Sequence, residues 1–332
     1  MIGRVKRDMV VTGRNAFARR GRLAFRLAVS LSLLLLGTAS AVDAQQVADT
    51  AFRPSIRSPA YPSGTGPLVL IDEAHQNFHT ADGRYAPFAD LVRRDGYTVE
   101  PLRTPFSASA LQPAAVLVIA NAVGLPNARQ WVRPIVPAFT PAEVAAVRSW
   151  VEAGGSLLLI ADHMPFAGAA AELGRAFGLE FSDGFAMPAS GQSGTIVFAR
   201  RDSALVDHPI VNGRSAEERV DSVASFTGQG FRVTAGAVQP LMRLPADIQL
   251  LEPDTAWVFD STTKRRTGPG WLQGATLRVG RGRVVVLGEA AMFSAQLAGT
   301  QRMPVGMNAP IAGQNAQFLL NTMHWLTGLL DS

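Results

Sequence analysis

The sequence predicts an α/β protein built on a doubly wound, mostly parallel sheet with a β-rich insertion. Four short, continuous apolar runs occur at residues 67–71, 116–120, 156–160 and 283–287, and such runs are typical of strands buried on both faces of a parallel sheet. Helical patterns separate the runs in the first half of the chain. Because parallel neighbours must be joined by a crossover segment, this alternation favours helices on both faces of the sheet.

The first strand is followed by a helix and two further strands. Residues 84–95 repeat apolar side chains at the spacing of one helix face. Asp82 is predicted to cap this helix, and Gly96 to end it. Residues 98–102 then predict the second strand, and residues 116–120 (VLVIA) the third.

A strong helix signal follows the third strand. Thr140, Pro141 and Glu143 form the pattern of a capping box, in which the hydroxyl and the carboxylate satisfy free amide groups of the first turn. The helix is predicted to end at Gly154, and residues 156–160 (SLLLI) predict the fourth strand.

The second half of the chain has a less regular pattern. Residues 167–177 predict another helix, and residues 181–280 contain short β-prone runs separated by loops, which predict the β-rich insertion. Residues 280–283 (GRGR) precede a strand as a hairpin turn would. The parallel pattern resumes at residues 283–287, and residues 313–330 predict the final helix.

The N-terminal 44 residues predict a secretory leader, since eight basic residues precede an apolar run shorter than a membrane-spanning helix. Cleavage is expected after Ala41 or Ala44, and the alternative is an uncleaved signal anchor. Residues 45–66, rich in Pro, Ser and Gly, predict a linker, and residues 67–330 predict the folded domain. The expected location is periplasmic or extracellular, with membrane attachment only through an uncleaved leader.

The charge and cysteine content exclude several classes of function. Removing the leader leaves 23 basic and 24 acidic residues, a net charge of −1, so the basic excess belongs to the leader and nucleic acid is not an expected partner. The chain contains no cysteine, which excludes disulfides, thiolate metal ligands and a cysteine nucleophile.

Polar residues follow four of the predicted strands. Ligands of open α/β sheets bind beyond the carboxyl ends of the strands, and three of the five histidines fall at this edge. The polar residues are Asp72, Glu73, His75 and His79 after the first strand, Asn121 after the third, Asp162 and His163 after the fourth, and Glu289 after the late strand.

Carboxylates beside imidazoles suit divalent-metal binding or acid-base catalysis. The catalytic candidates are Asp72, Glu73, His75, Asp162 and His163; the ligand-binding candidates are His79, Asn121 and Glu289; and the candidate ligands of a divalent metal are His75, His79 and His163. A third interpretation is that these residues only cap helices and cross-link loops. The remaining histidines, His208 and His324, are interpreted as structural.

Several segments within residues 66–330 resemble the class I glutamine amidotransferase-like superfamily, in its secreted branch. They are LVLIDEAHQNFHTADGRYAPFADLVRRDGY, VRSWVEAGGSLLLIADH, DHPIVNG and GRVVVLGEAAMFSAQ. The resemblance implies a flavodoxin-like sheet. It also implies a cysteine nucleophile after the fourth strand in active members, where this sequence has Asp162 and His163. Glutamine amidotransfer by that route is therefore not expected.

Two functions remain open at this stage. The first is a binding or interaction domain without amidotransferase activity, which holds a small polar ligand or an envelope protein at the strand ends. The second is a hydrolase that uses the Asp, Glu and His cluster, either with a divalent metal or by acid-base chemistry.

Overall fold

The computed structural model describes residues 46–190 and 194–331. The predicted leader lies outside the described residues. The strands are β1 (Gln46–Ala48), β2 (Leu68–Asp72), β3 (Thr98–Leu102), β4 (Val116–Ala120), β5 (Ser156–Ile160), β6 (Leu179–Phe181), β7 (Phe185–Pro188), β8 (Thr195–Ala199), β9 (Ser222–Phe226), β10 (Phe231–Val233), β11 (Val238–Arg243), β12 (Ile248–Glu252), β13 (Lys264–Arg266), β14 (Leu272–Val279), β15 (Gly282–Leu287), β16 (Ala295–Ala298) and β17 (Met303–Gly306).

The α-helices are α1 (Ala86–Arg94), α2 (Ala108–Leu111), α3 (Pro141–Glu152), α4 (Phe166–Ala169), α5 (Ala171–Ala176), α6 (Pro209–Asn212) and α7 (Asn315–Leu326). Most of them follow a strand of the main sheet and return the chain to its other end, as parallel neighbours require.

The main sheet is mixed, and its parallel strands are β3 and the four strands predicted from the apolar runs. Its order is β3-β2-β4-β5-β15-β14-β10-β6, and β11 also pairs with β14. Five neighbouring strands are parallel to one another: β3, β2, β4, β5 and β15. The remaining strands, β14, β10, β6 and β11, pair antiparallel. The α/β class with a mostly parallel sheet is therefore confirmed.

Both faces of the parallel strands are buried. Successive side chains of a strand point to opposite faces, so Val69 and Ile71 pack in one hydrophobic cluster with α1 and α7. Leu70 packs in the other cluster with α3 and α5. This two-sided burial explains why the strands are uninterrupted apolar runs.

The helix termini confirm some predictions and correct one. Thr140 and Glu143 form the predicted capping box of α3, and Gly96 has a φ of +101° just after α1. The prediction that Asp82 caps α1 is wrong: α1 starts after Tyr85 without a side-chain cap. The amides of Gly83 and Tyr85 bond to the carbonyl of Thr80, and this turn delays the start of the helix beyond the reach of Asp82.

The predicted helix at residues 167–177 is two short helices. Helix α4 ends at Ala169 and α5 begins at Ala171, with Ala170 between them at φ −94° and ψ 3°. The α7 helix, Asn315–Leu326, is shorter at both ends than the predicted residues 313–330, and a separate 3₁₀ turn at Pro310–Ala312 precedes it.

Residues 181–280 contain mostly antiparallel strands. The β7, β12 and β13 strands form one sheet and β8 and β9 another, while β10, β11 and β14 extend the main sheet. The β14 and β15 strands form the hairpin expected from residues 280–283. Within residues 46–66, which belong to the predicted linker, β1 pairs antiparallel with β16.

Within residues 46–190 and 194–331, no helix has both the length and the apolar character needed to span a membrane.

Candidate functional site

The polar strand ends lie at one edge of the parallel sheet. β2, β4, β5 and β15 are consecutive neighbours in parallel register, so their carboxyl ends emerge side by side. Asp72 is the last residue of β2, and Asn121, Asp162 and Glu289 follow β4, β5 and β15 within two residues. All four are buried.

His75 lies between two carboxylates. Its Nδ1 is 2.8 Å from Oδ1 of Asp72, and its Nε2 is 2.8 Å from Oε1 of Glu143. The imidazole is also enclosed by the rings of Phe106 and Phe139 at 4.5 and 4.9 Å. Asn77 donates to the second Asp72 oxygen. Both ring nitrogens of His75 are therefore engaged.

The two carboxylates favour the imidazolium form of His75. Burial lowers the pKa of His75, but the hydrogen bonds and charges of Asp72 and Glu143 outweigh burial and raise it above 6.5. For the carboxyl group of Glu143, burial acts in the opposite direction and raises the pKa. The hydrogen bonds from Thr140 and His75 outweigh burial and lower this pKa to about 2. The group is a charged cross-link between the β2 loop and the start of α3.

Asn121 connects the ends of β4 and β5 and fixes the tautomer of His79. Its Oδ1 accepts the amide of Asp162 at 3.0 Å, so its Nδ2 is the atom that faces Nδ1 of His79 at 3.3 Å. An amide nitrogen only donates, so Nδ1 of His79 accepts and the proton of the neutral ring lies on Nε2.

The Nε2 of His79 is buried without a hydrogen-bond partner among the described residues. Burial, together with the charges of Arg84 and His163, lowers the pKa of His79 to about 3, so the ring is neutral at pH 7. A buried donor without a partner costs about 1–3 kcal/mol. This N–H is the unsatisfied donor of the strand-end cluster.

Asp162 and Glu289 accept backbone amides at the ends of β5 and β15. Asp162 accepts from His163 at 2.7 Å and from Ala290 at 3.3 Å, and Glu289 accepts from Ala291 and Met292 at 2.7 and 2.8 Å. Burial and the charge of Asp162 raise the pKa of Glu289 to about 8, although the amide bonds oppose this shift. Glu289 is therefore mostly protonated at neutral pH.

His163 sits in a group of aromatic side chains. Its ring stacks on Phe185 at 4.4 Å and lies 4.8 Å from Trp257, which is half exposed, and Trp131 is 5.9 Å away. The Nδ1 of His163 is 2.7 Å from the carbonyl oxygen of Met164. Because a carbonyl only accepts, Nδ1 of His163 carries a proton and donates it to this bond.

Glu73 and its neighbour Asp72 have different hydrogen-bond partners. Its Oε1 accepts the amide of Ala81 at 2.9 Å, and its Oε2 pairs with Arg103 at 3.1 Å. Adjacent residues at the end of a strand point in opposite directions, so Glu73 stabilises the following loop and does not join the His75 group.

The three strand-end histidines have three separate surroundings. His75 is held by carboxylates, His79 by Asn121 and His163 by Met164 and aromatic rings. In the part of the chain that the structure describes, no group of three or more His, Asp or Glu side chains is arranged to hold a metal ion.

Three residues near the strand ends are not predicted from the sequence as site residues: Glu143, Trp131 and Trp257. Glu143 already had a local explanation as a capping residue, and its contact with His75 joins residues 68 positions apart. Trp131 and Trp257 lie on two loops joined by the bridge between Val132 and Thr255. A tryptophan in a loop near a predicted strand end was the available signal.

No protein-family model matches the chain, and a search of curated proteins found no match. Among solved structures, the chain is similar to the N-terminal domain of mmIFT52, with 11% identity, 78% of this chain and 97% of that chain covered, and a TM-score of 0.54. This likeness shows the fold alone.

Two further solved structures are similar at lower TM-scores. A ThuA-like protein from Bacteroides uniformis ATCC 8492 has 14% identity, covers 82% of this chain and 94% of its own, and has a TM-score of 0.44. A GMP synthase subunit from Thermoplasma acidophilum has 9% identity, covers 80% of this chain and 94% of its own, and has a TM-score of 0.38.

Proposed function

We propose that this protein is an exported binding or interaction domain without amidotransferase activity, which holds a small polar ligand at the carboxyl ends of its parallel strands. The strand order β3-β2-β4-β5-β15 supports a flavodoxin-like arrangement. In such a sheet the order reverses between β2 and β4, where His79 and Asn121 lie. The periplasm or the cell exterior is the proposed location, and an envelope protein is the alternative ligand.

The observation that carries this proposal is the unpartnered Nε2 donor of His79. The other polar groups of the cluster are held by each other, by backbone groups or by Arg103, and these bonds hold the loops in place. A neutral donor at the switch point suits hydrogen bonding to a polar molecule.

The residues after β5 support the proposal that this protein lacks amidotransferase activity. Glutamine hydrolysis by the family route needs a nucleophile at this turn. Here Asp162 accepts amide bonds and His163 is stacked on Phe185. Neither side chain is a substitute for the thiolate, and the chain has no cysteine.

The test is a thermal-shift screen of the protein without its leader against amino acids, nucleosides, sugars and dicarboxylates. A ligand that binds the folded state raises Tm in a concentration-dependent way. We expect this shift to be lost in His79→Phe and His163→Ala and kept in His208→Asn, a matched change away from the strand ends. If the protein instead hydrolyses esters, amides or glycosides, and His163→Ala abolishes turnover, the binding proposal is wrong.

The alternative is an acid-base hydrolase, and the raised pKa of Glu289 favours it. A carboxyl group that keeps its proton at neutral pH can act as a general acid. This function requires turnover that falls as pH rises through about 8 and is lost in Glu289→Gln. A divalent metal would be part of this function only if the purified protein retained one in stoichiometric amount and His163→Ala released it.

A further inference from the structure

Arg84, in the loop between β2 and α1, is a partly buried arginine without a polar partner. Its Nε is buried and makes no hydrogen bond among the described residues, whereas its two terminal nitrogens retain exposed surface. The other partly buried arginines within residues 46–190 and 194–331 all pair with a carboxylate. An acceptor can therefore reach the guanidinium of Arg84 from solvent.

An aromatic ring, and not a carboxylate, holds this guanidinium in place. Its central carbon lies 3.8 Å from the centre of the Phe78 ring, and a cation over a ring face is attracted without using an N–H donor. The Phe78 ring in turn contacts Trp131 and Phe166, each at 5.5 Å. The guanidinium is thus positioned while its terminal N–H groups stay available.

The protonation behaviour of Arg84 agrees with the lack of a partner. Burial lowers the pKa of Arg84, whereas the hydrogen bonds and charge of Glu218 raise the pKa of Arg214. A charged group that loses water without gaining an opposite charge is costly. Because an arginine side chain keeps its proton in proteins, an anion at this point would offset that cost.

The surroundings of Arg84 add a second free donor and further positive potential. Phe78 also contacts the ring of His79 at 5.6 Å, and the charge of Arg84 lowers the pKa of His79, whose Nε2 has no partner among the described residues. Helix α1 begins two residues after Arg84 with neither a side-chain cap nor an acidic residue in its first turn. The positive end of the helix is therefore not offset within that turn.

We propose that the ligand of the strand-end site is a small carboxylic acid and that Arg84 binds its carboxylate. A carboxylate accepts two parallel N–H bonds from one guanidinium, and its single charge matches the single unpaired cation. A phosphate monoester carries nearly two charges at neutral pH, which one arginine does not balance. This inference rests on the proposed function, because it names the class of ligand for the same site.

The experiment is calorimetric titration of the purified protein at pH 7 with matched pairs of probes. Lactate, N-acetylglycine and succinate are compared with lactamide, N-acetylglycinamide and succinamide, which keep the shape and lose the charge, and glycerol phosphate is the phosphate probe. We expect at least one carboxylate to bind and its amide to bind about tenfold more weakly or worse, since charge-assisted hydrogen bonds are lost.

Variants of Arg84 identify the binding group. Arg84→Gln should weaken carboxylate binding about tenfold, and Arg84→Lys, which keeps the charge but lacks the planar fork, should weaken it less. Arg302→Gln, at an exposed position in the turn between β16 and β17, is the matched control and should leave affinity unchanged. Because Arg84 has no hydrogen bond to lose, Arg84→Gln should change Tm by less than about 4 °C.

Three outcomes would overturn this inference: equal affinity for a carboxylate and its amide, unchanged carboxylate affinity in Arg84→Gln, or failure of every carboxylate to bind at millimolar concentration. Tighter binding of glycerol phosphate than of every carboxylate would also overturn it. The proposed function would still stand if an amide, a nucleoside or a sugar bound and His79→Phe abolished that binding.

Discussion

His75 and His79 are four residues apart, yet their neighbours give them opposite protonation behaviour. His75 lies between Asp72 and Glu143, which raise its pKa, whereas burial near Arg84 lowers the pKa of His79 to about 3. The first ring is a charged cross-link and the second is a neutral donor. Residue type and spacing alone do not distinguish these roles, because the deciding partners come from other elements.

The raised pKa of His75 predicts a pH-dependent stability. A raised folded-state pKa contributes stability that is complete below the ordinary value of 6.5 and is lost as pH rises through the folded pKa. We expect the free energy of unfolding, measured with urea, to fall over that range in the wild type. His75→Phe should lack this component of the fall.

His75→Phe should also destabilise the protein at pH 6. It leaves the buried carboxylates of Asp72 and Glu143 without their cation, and breaking a buried pair costs about 3–5 kcal/mol. A loss below about 1 kcal/mol at pH 6 would mean that the His75 cross-link is not structural.

At the scale of elements, helix α3 connects local capping to the strand-end cluster. Thr140 and Glu143 form its capping box, and the same Glu143 carboxylate accepts the amide of Phe106 and contacts His75. The start of α3 is thereby tied to the loops after β2 and β3. A substitution at the cap is therefore expected to affect both the start of α3 and these loops.

Thr140→Ala should lower the free energy of unfolding by about 1–2 kcal/mol, since it removes the side-chain half of the capping box. Ser149→Ala, an exposed serine in the same helix, is the control and should change stability by less than about 0.5 kcal/mol. Denaturant titration measures both. Equal effects of the two changes would contradict the role of the cap.

At the scale of the whole molecule, a buried Asp95–His324 pair joins three distant parts of the chain. Oδ2 of Asp95 lies 2.7 Å from Nε2 of His324 in α7, and Oδ1 accepts the amide of Ala60 at 2.8 Å. Asp95 itself follows α1. The segment before β2 is therefore held against the folded body by a carboxylate with no exposed surface.

Asp95→Ala should destabilise the protein by about 3 kcal/mol or more, because it leaves the buried Nε2 of His324 and the partly buried amide of Ala60 without their partner. Limited proteolysis should then cut within residues 46–66 faster than in the wild type. Asp90→Ala, which removes an exposed carboxylate paired with Arg53 of the same segment, should cost less than about 1 kcal/mol. Unchanged proteolysis of Asp95→Ala would refute this anchoring role.

The sequence by itself determined the parallel core and the capping box of α3. The strands at residues 68–72, 116–120 and 156–160 are buried on both faces, so each is an uninterrupted apolar run, and Thr140 and Glu143 satisfy amides within one helical turn. These signals are local. Asp82 was misassigned because a turn at Thr80 competes with its capping role, and that competition depends on the surrounding loop.

Only the tertiary structure decided what the strand-end residues do. Glu143 reaches His75 across 68 positions, and Asn121 fixes the tautomer of His79. Hydrogen-bond partners and burial set the charge and the free atoms of each group. These partners are distant in the chain. The sequence therefore predicts where the polar residues lie, whereas their hydrogen bonds and charges depend on the fold.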